Sequence, residues 1–211
     1  MIKVNEIFFS IQGESSFAGY PCIFVRLTGC NLRCTFCDTA YAYEEGTDIE
    51  IARLIEKIEA FQYPLVEITG GEPLLQQETP ELIRVLLEKK IQVLVETNGS
   101  LDISRIDARC TRIMDIKCPS SGESEKNDPD NLKRLTEKDE IKCVIADRAD
   151  FDFARSVISG ADLPRGIPVH FSPVFGKLPP ETLAGWILEE RLPVRLQLQL
   201  HKILWGNERG R

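Results

Sequence analysis

Short apolar runs alternate with helical patterns along this chain, and this alternation constrains its fold more than any other feature. Runs rich in β-branched residues occupy six segments, at 23–27, 65–68, 93–95, 112–116, 141–145 and 169–171. Helical patterns lie between several of these runs. Because parallel strands need a long crossover and a helix is the usual one, the order predicts an α/β fold with a mostly parallel sheet.

The intervening helices are predicted from their apolar stripes and end signals. A stripe at i, i+3, i+4 and i+7 begins at Ile51 and predicts a helix with Thr47 or Asp48 as its N-cap. A second helix should open with Thr79 as N-cap and Pro80 at its first position. Weaker patterns predict three more helices, at 131–135, 149–158 and 181–190.

Small or polar residues follow most of the predicted strands. They are Thr28 and Gly29, 69–71, 97–99, 117–121, and Ser172 with Pro173. In a parallel α/β barrel the active site lies at the carboxyl ends of the strands, so these residues mark the candidate site. A chain of 211 residues is short for a closed eight-stranded barrel of about 250 residues. We therefore expect an incomplete TIM-like barrel of about six strands, in a single domain spanning 1–211.

Composition argues against several classes of function. Lys and Arg number 26 against 33 Asp and Glu, a net charge of −7, so direct binding to nucleic acid is not expected. No apolar run approaches the roughly 20 residues of a membrane span. The seven cysteines are an odd number, and residues 1–6 lack the pattern of a signal peptide. These features predict a cytoplasmic protein whose thiols are free or bind metal.

Three cysteines crowd into a loop directly after the first predicted strand. Cys30, Cys34 and Cys37 have the spacing C-x3-C-x2-C. Structural zinc normally takes four protein ligands, and the other four cysteines are scattered singly along the chain. A [4Fe–4S] cluster held by three thiolates leaves one iron open to a small molecule. The spacing therefore favours such a cluster, and a zinc-binding interaction module is the alternative from a different class.

The cysteine loop, together with Thr69-Gly70-Gly71-Glu72-Pro73 at the next strand end, resembles the radical S-adenosylmethionine enzymes. The resemblance implies that the methionyl amine and carboxylate chelate the open iron, and that an electron from the cluster splits the sulfonium to a 5′-deoxyadenosyl radical. Phe36 matches the aromatic position expected near the adenine. Glycines allow a close approach of the backbone, and Glu72 is expected to face the methionyl amine.

The resemblance extends over nearly the whole chain to one family of that superfamily. The segments that carry it are 6–14, 29–34, 37–39, 96–99, 115–120 and 197–202. They resemble the 7-carboxy-7-deazaguanine synthases, which convert 6-carboxy-5,6,7,8-tetrahydropterin to 7-carboxy-7-deazaguanine with loss of ammonia, on the route to queuosine and related 7-deazapurines. The resemblance implies a reduced α/β barrel, a homodimer, and a reductant such as a flavodoxin or ferredoxin.

A glycyl-radical-enzyme activase of the same superfamily is the nearest alternative. Such activases share the cysteine loop and the Gly-Gly-Glu motif. They lack the Gln12-Gly13-Glu14 segment and the Gln-Leu-His-Lys segment at 199–202.

The resemblance also implies which residues line the substrate. They are Ile11, Gln12, Gly13, Glu14, Arg26 and Thr69. Glu14 can accept hydrogen bonds from the guanidine-like edge of a pterin, with Gln12 beside it. Arg26 has the donor fork that a C6 carboxylate requires. Together with the three cysteines, Glu14 and Arg26 are the expected catalytic residues, although an arginine on a half-exposed strand is more often part of a surface ion pair.

Further residues are implied for the cofactors. S-adenosylmethionine should contact Phe36, Gly71, Glu72, Pro119, Ser120, Ser121 and Ser172.

The family also uses Mg²⁺ at the substrate, and Thr39 matches its protein ligand. One hydroxyl is a weak magnesium site, so the ion would take oxygens from substrate and water, and Asp38 is the alternative by charge. Some members contact the substrate through their terminal carboxylate, and the arginine at the end of this sequence argues against that contact.

Overall fold

The computed structural model describes residues 1–211 and contains one sheet with helices between its strands. The strands are β1 (Ile2–Ile11), β2 (Pro21–Leu27), β3 (Thr47–Ile49), β4 (Leu65–Gly70), β5 (Gln92–Thr97), β6 (Thr111–Ile116), β7 (Glu140–Ile145), β8 (Val169–Pro173) and β9 (Arg195–Leu196). The helices are α1 (Ile51–Glu59), α2 (Thr79–Glu88), α3 (Asp130–Arg134), α4 (Arg148–Gly160), α5 (Pro180–Glu190) and α6 (Leu200–Trp205). None of these helices is long and apolar enough to cross a lipid bilayer.

The strand order is β3-β1-β2-β4-β5-β6-β7-β8-β9. All neighbours from β2 to β9 are parallel, whereas β1 pairs antiparallel with both β2 and β3. The order is linear, with β3 and β9 at its two edges, so the barrel is incomplete. The predicted α/β class and its six parallel strands are confirmed, since they are present as β2 and β4 to β8.

The sequence-based predictions missed three strands and misplaced two helix starts. β1, β3 and β9 were not expected; the last two are very short, and β1 mixes apolar with polar residues. Thr47 and Asp48 lie in β3, so Glu50 is the N-cap of α1. Thr79 is the first residue of α2, and its hydroxyl donates to the carbonyl of Pro73 at 2.6 Å, so it is not free to cap the helix.

Alternate residues of the parallel strands point to opposite faces of the sheet. The outer face packs against the helices through residues such as Val66, Ile68 and Val95, which belong to the main core. The inner face carries a second apolar cluster near the amino ends of the strands, formed by Cys22, Phe24, Leu65, Leu94 and Ile113. Nearer the carboxyl ends the inner face becomes polar and charged, which places chemistry at the open end of the barrel.

The segment between β1 and β2 closes the amino-terminal end of the barrel. Because β1 is antiparallel to β2, β1 ends where β2 begins. The Gln197 side chain accepts from the backbone N–H of Ser15 and donates to its carbonyl, both at 2.8 Å. The N–H of Ser16 donates to Oε2 of Glu140 at 2.9 Å, at the start of β7. The segment therefore crosses from β2 to the far strands.

A buried ion pair joins the starts of β6 and β7. Asp139 is completely buried and accepts from Nε and Nη2 of Arg112 at 3.0 and 2.5 Å. Burial opposes ionisation of this carboxyl, but hydrogen bonds from Arg112 and Thr136 hold its pKa below the usual range. The ion pair therefore stabilises the fold fully at pH values above the pKa that Asp139 has in the unfolded chain. This stabilisation is lost as the pH falls through the lower pKa that Asp139 has in the folded protein.

Replacing Asp139→Asn should lower the free energy of unfolding by about 3–5 kcal/mol, because Arg112 would stay buried without its counter-charge. Urea unfolding at neutral pH measures this loss. The matched control is Asp107→Asn, which removes the half-buried partner of the exposed Arg109 and should change stability by less than about 1 kcal/mol. Equal stability of the two variants would contradict this account.

Candidate active site

A cleft of about 450 Å³ opens at the carboxyl ends of the strands. It collects residues from the barrel interior, the cysteine loop, the segment after β1 and the carboxyl-terminal segment. The sequence-predicted residues that line it are Ile11, Gln12, Gly13, Glu14, Arg26, Cys30, Cys34, Phe36, Cys37, Thr39, Thr69 and Gly71. Residues far apart in the chain are thus brought to one surface.

The three cysteines of the loop are free, partly exposed thiols that face this cleft. The N–H of Leu32 lies 3.4 Å from Sγ of Cys30, and the amide of Asn98 approaches the same sulfur at 3.8 Å. Burial raises the pKa of both Cys30 and Cys34, so these groups are protonated at neutral pH without a bound cation. Binding of an iron centre would therefore release protons.

The geometry of the loop fits an iron–sulfur cluster better than one ion. No three His, Cys, Asp or Glu side chains lie close enough together to hold a single metal ion. In a [4Fe–4S] cluster each thiolate binds a different iron, so the sulfurs need not converge on one point. The donors are three thiolates, which is the set that such a cluster takes from a protein. Cys30, Cys34 and Cys37 are accordingly the residues that would hold it.

Gly71 forms the contact between the end of β4 and the cysteine loop. A Cβ atom on Gly71 would overlap the carbonyl oxygen of Gly29 and would lie 2.9 Å from Cβ of Cys30. The N–H of Glu72 donates to that same carbonyl at 2.8 Å. The close approach therefore requires a glycine at this position.

Glu72 itself does not line the cleft. It is completely buried and accepts from the N–H groups of Leu74 and Asn98 at 3.0 and 2.7 Å, and from the hydroxyl of Thr97 at 2.9 Å. Its carboxylate joins the ends of β4 and β5. In this structure its oxygens are engaged within the protein, and the contact of Glu72 with the methionyl amine stays a prediction.

Four other residues predicted to contact S-adenosylmethionine lie away from the cleft. Pro119, Ser120 and Ser121 form a short 3₁₀ turn behind the cysteine loop, where the backbone carbonyls of the two serines accept from the hydroxyl and N–H of Thr35. The turn supports the loop from outside. Ser172 is buried in the barrel wall, and its hydroxyl has no partner. The structure does not bring these residues to the site.

Arg26 is both paired and available to a ligand. Its Nε donates to Oε1 of Glu6 at 2.7 Å, and the hydroxyl of Tyr41 donates to the same oxygen at 2.9 Å. The guanidinium also lies 5.7 Å from the ring centroid of Phe8 and 5.9 Å from that of Tyr41. Its two terminal nitrogens make no hydrogen bond within the chain. The side chain is therefore fixed in the cleft wall with its donor fork open.

Glu14 reaches the interior from the amino-terminal end of the barrel and pairs there with Lys142 of β7. Lys142 also contacts Oε1 of Glu96 at 2.8 Å, and Gln199 donates to Oε1 of Glu14 at 2.7 Å. Burial alone would lower the pKa of Lys142, but Glu14 and Glu96 hold it well above its ordinary value. One buried ammonium thus serves two carboxylates.

Gln12 and Glu67 lie beside this ion cluster. The amide nitrogen of Gln12 donates to Oε2 of Glu67, and its amide oxygen accepts from the N–H of Glu14 at 3.1 Å. Burial, reinforced by the charges of Glu96 and Glu14, raises the pKa of Glu67 well above its ordinary value. Its surroundings therefore disfavour the ionised form of Glu67.

Thr39 and Asp38 stand at the cleft beside the last cysteine. The hydroxyl of Thr39 donates to Oδ1 of Asp38 at 2.9 Å, and Lys202 lies 3.1 Å from Oδ2. Burial opposes ionisation of Asp38, but Lys202 holds its pKa below the usual value. The charge of Asp38 is thus already countered by the protein.

The carboxyl-terminal segment covers one side of the cleft. The N–H of Leu200 donates to the carbonyl of Gly13 at 2.9 Å, and a Cβ on Gly13 would lie 2.9 Å from the backbone nitrogen of His201. The Arg209 guanidinium lies 3.8 Å from the ring centroid of Tyr41. Residues 206–211 therefore also line the cleft.

Several residues that line the cleft were given no individual role in the sequence analysis. They are Glu67, Glu96, Asn98, Asp115, Lys117 and Lys142, all of which line the cleft. Four of them, Glu67, Glu96, Asp115 and Lys142, are charged residues within the parallel strands β4 to β7. Since parallel strands are usually buried on both faces and continuously apolar, a charged residue in such a run is a usable signal for a polar interior.

Replacing Gly71→Ala should displace the cysteine loop and reduce iron and acid-labile sulfide per chain after anaerobic reconstitution, by roughly tenfold if the overlap with Gly29 costs about 1.4 kcal/mol. The matched control is Gly185→Ala in α5, where an added Cβ meets nothing within 4 Å. That control should incorporate a full cluster. Full incorporation by Gly71→Ala would show that the loop does not depend on this contact.

The chain is similar to known proteins over nearly its whole length. Residues 24–115 match the family model of the Radical SAM superfamily. The chain is 49% identical to the 7-carboxy-7-deazaguanine synthase of Chlorobaculum tepidum, over 97% of this chain and 94% of the relative. It is 42% identical to the enzyme of that name from Koribacter versatilis, over 98% of each chain.

Among solved structures, the crystal structure of QueE from Escherichia coli is similar to this fold. It superposes with a TM-score of 0.80 and 22% identity, covering 95% of this chain and 94% of that one. This structural similarity supports the fold, whereas the sequence identities to the two synthases establish the family. The nearly full-length identity to these relatives shows that the chain belongs to the 7-carboxy-7-deazaguanine synthases, a family of radical S-adenosylmethionine enzymes.

Proposed function

We propose that this enzyme contracts the ring of 6-carboxy-5,6,7,8-tetrahydropterin to 7-carboxy-7-deazaguanine with release of ammonia. The observation that carries the proposal is the placement of Arg26 and Glu14 in the cleft that the three cysteines line. Arg26 lies on β2, while Glu14 is held against Lys142 on β7, four strands further along the sheet. A flat molecule with a carboxylate and a guanidine-like edge suits this pair.

The cysteine loop would supply the radical chemistry. When bound, the [4Fe–4S] cluster on Cys30, Cys34 and Cys37 supplies the electron that cleaves S-adenosylmethionine and so starts hydrogen abstraction from the substrate. Phe36 and Gly71, which line the cleft, are the residues that we place against S-adenosylmethionine. The tight packing of Gly71 on Gly29 keeps the loop beside the strand ends.

The protein's own groups would hold the substrate at both ends. The terminal nitrogens of Arg26 bind the C6 carboxylate, since Glu6 engages only Nε. Glu14 accepts from the pterin N–H groups, and its contact with Lys142 holds its side chain in the barrel interior. Ile11, Gln12, Gly13 and Thr69 complete the surface that we assign to the substrate.

Mg²⁺ would bind at the substrate through Thr39. Its hydroxyl already points at Asp38, whose charge is balanced by Lys202, so the ion would complete its shell with oxygens from substrate and water. A reductant such as a flavodoxin or ferredoxin, a homodimeric assembly and a cytoplasmic location complete the proposal.

Replacing Arg26→Ala should cut turnover of the carboxypterin by roughly 30-fold or more. Deleting one partner of a buried charged hydrogen bond typically costs about 2–5 kcal/mol, and each 1.4 kcal/mol is about tenfold. Arg26→Lys should recover little, because a point charge cannot reproduce the fork. Product and ammonia are measured anaerobically at matched cluster content.

Two controls accompany the Arg26 variants. Uncoupled cleavage of S-adenosylmethionine should persist, since the cysteines are untouched. Arg84→Ala, on the exposed face of α2, should behave like the parent. An Arg26→Ala enzyme that binds and converts the carboxypterin normally would remove the carboxylate clamp from the proposal.

Replacing Thr39→Ala should weaken the response of turnover to Mg²⁺ without loss of the cluster, because the hydroxyl that would bind the ion is gone. Thr39→Ser keeps the hydroxyl and should restore most of the response. Turnover is titrated with MgCl₂ for the parent and both variants. Unchanged metal dependence in Thr39→Ala would assign this hydroxyl a structural role.

A further inference from the structure

Glu67 is a buried carboxyl in the cleft to which the proposed function gives no role. It lies in the middle of β4, in register with Phe24 on β2 and with Leu94 on β5. Both neighbours belong to the apolar cluster of the barrel interior. Glu67 is therefore flanked on each side by an apolar side chain, which disfavours its ionised form.

The charges around Glu67 leave it without a counter-ion of its own. The titratable groups that face it are Glu14 from the segment after β1, Arg26 and Cys22 from β2, Glu96 from β5 and Lys142 from β7. Lys142 is engaged by the two other carboxylates, and Arg26 pairs with Glu6. A third carboxylate here would be unpaired and poorly solvated, so the site keeps this group as a neutral acid.

Glu67 also has an atom available to a ligand. Its Oε2 accepts from the amide of Gln12, a residue that we place at the substrate. Its other oxygen has no hydrogen-bond partner within the chain, and the residue lines the floor of the cleft. The Glu67 carboxyl thus faces the cleft with one oxygen uncommitted.

We propose that Glu67 is a general acid of this site and that it gives its proton to the substrate nitrogen that departs as ammonia. This role rests on the proposed function. The proton moves from the Glu67 carboxyl to nitrogen, and the C–N bond breaks with its electron pair going to nitrogen. The Glu67 carboxylate then takes the proton of the adjacent C–H bond, whose electron pair forms the new double bond of the aromatic ring. Protons and electrons balance without another reactant.

The other groups of the cleft floor suit this role less well. Glu14 and Glu96 share Lys142, and Lys142 holds the pKa of Glu96 below its ordinary value despite burial. Lys142 keeps its own proton tightly, because two carboxylates stabilise its charge. An effective general acid is protonated at the working pH and gives up its proton readily. Glu67 meets these conditions through its apolar neighbours.

The first test asks whether Glu67 holds a proton. Glu67→Gln keeps the acceptor for Gln12 and the shape of the side chain but removes the acid. The infrared difference spectrum of parent minus variant at neutral pH should contain the carbonyl band of a protonated carboxylic acid. Taking the difference isolates Glu67 from Glu72, whose pKa burial also raises. A carboxylate band in its place would overturn the proposal.

The second test measures catalysis. Glu67→Gln should lower ammonia release by roughly 100-fold, in the range of a lost general acid, while uncoupled cleavage of S-adenosylmethionine and binding of the carboxypterin stay near the parent values. The parent rate should fall as the pH rises through the pKa of Glu67, since the acid form is active. The Glu67→Asp variant retains a carboxylic acid, so its rate should also fall as the pH rises (the alkaline limb of the pH profile). The rate of Glu67→Gln should not show this fall.

The outcomes separate the two proposals. An active parent with an equally active Glu67→Gln would overturn the role of Glu67 alone. A parent that forms no ammonia would overturn the proposed function and this role with it, whatever the infrared result. Should Glu67→Gln fail to fold, the alkaline limb of the parent and its retention in Glu67→Asp still decide the matter, because a rate independent of pH in both would overturn the proposal.

Discussion

The contact of one lysine with two carboxylates organises the interior of this barrel. Lys142 can bind Glu14 only because the segment after β1 passes under the strands and enters the barrel from its amino-terminal end. The same lysine holds Glu96 from β5. Burial makes this pairing obligatory, since any of the three charges left alone would be poorly solvated. The segment after β1 is thereby tied to β7, and β7 to β5, across the interior of the barrel.

Glu72 and Glu67 are both buried and lie close together in the sequence, but their carboxyl groups have different surroundings. Glu72 lies just after β4, where backbone N–H groups and a threonine hydroxyl occupy its oxygens, so it holds the ends of β4 and β5 together. Glu67 lies within β4 between Phe24 and Leu94, with one oxygen unoccupied. The carboxyl of Glu72 thus joins two strand ends, whereas that of Glu67 has one oxygen open to the cleft.

The cysteine loop depends on supports from outside the cleft. Gly71 permits contact with the loop on one side, and the turn at 119–121 binds the Thr35 backbone and side chain on the other. These contacts limit the conformations that the loop can adopt before it binds a cluster. Residues that a motif comparison places at the cofactor therefore include some, such as Ser120, whose contacts in this structure are with the loop.

The sequence by itself determined the parallel strands, the crossover helices and the cysteine loop, because apolar periodicity and close spacing are local properties of a chain. It also indicated Arg26 and Glu14, whose types suit the ends of the substrate. Only the tertiary structure decided that Glu72 and Ser172 lie away from the cleft and that Lys142 joins Glu14 to Glu96. Such assignments depend on strand register and on a segment that crosses the barrel, and both are set by packing between residues distant in the chain.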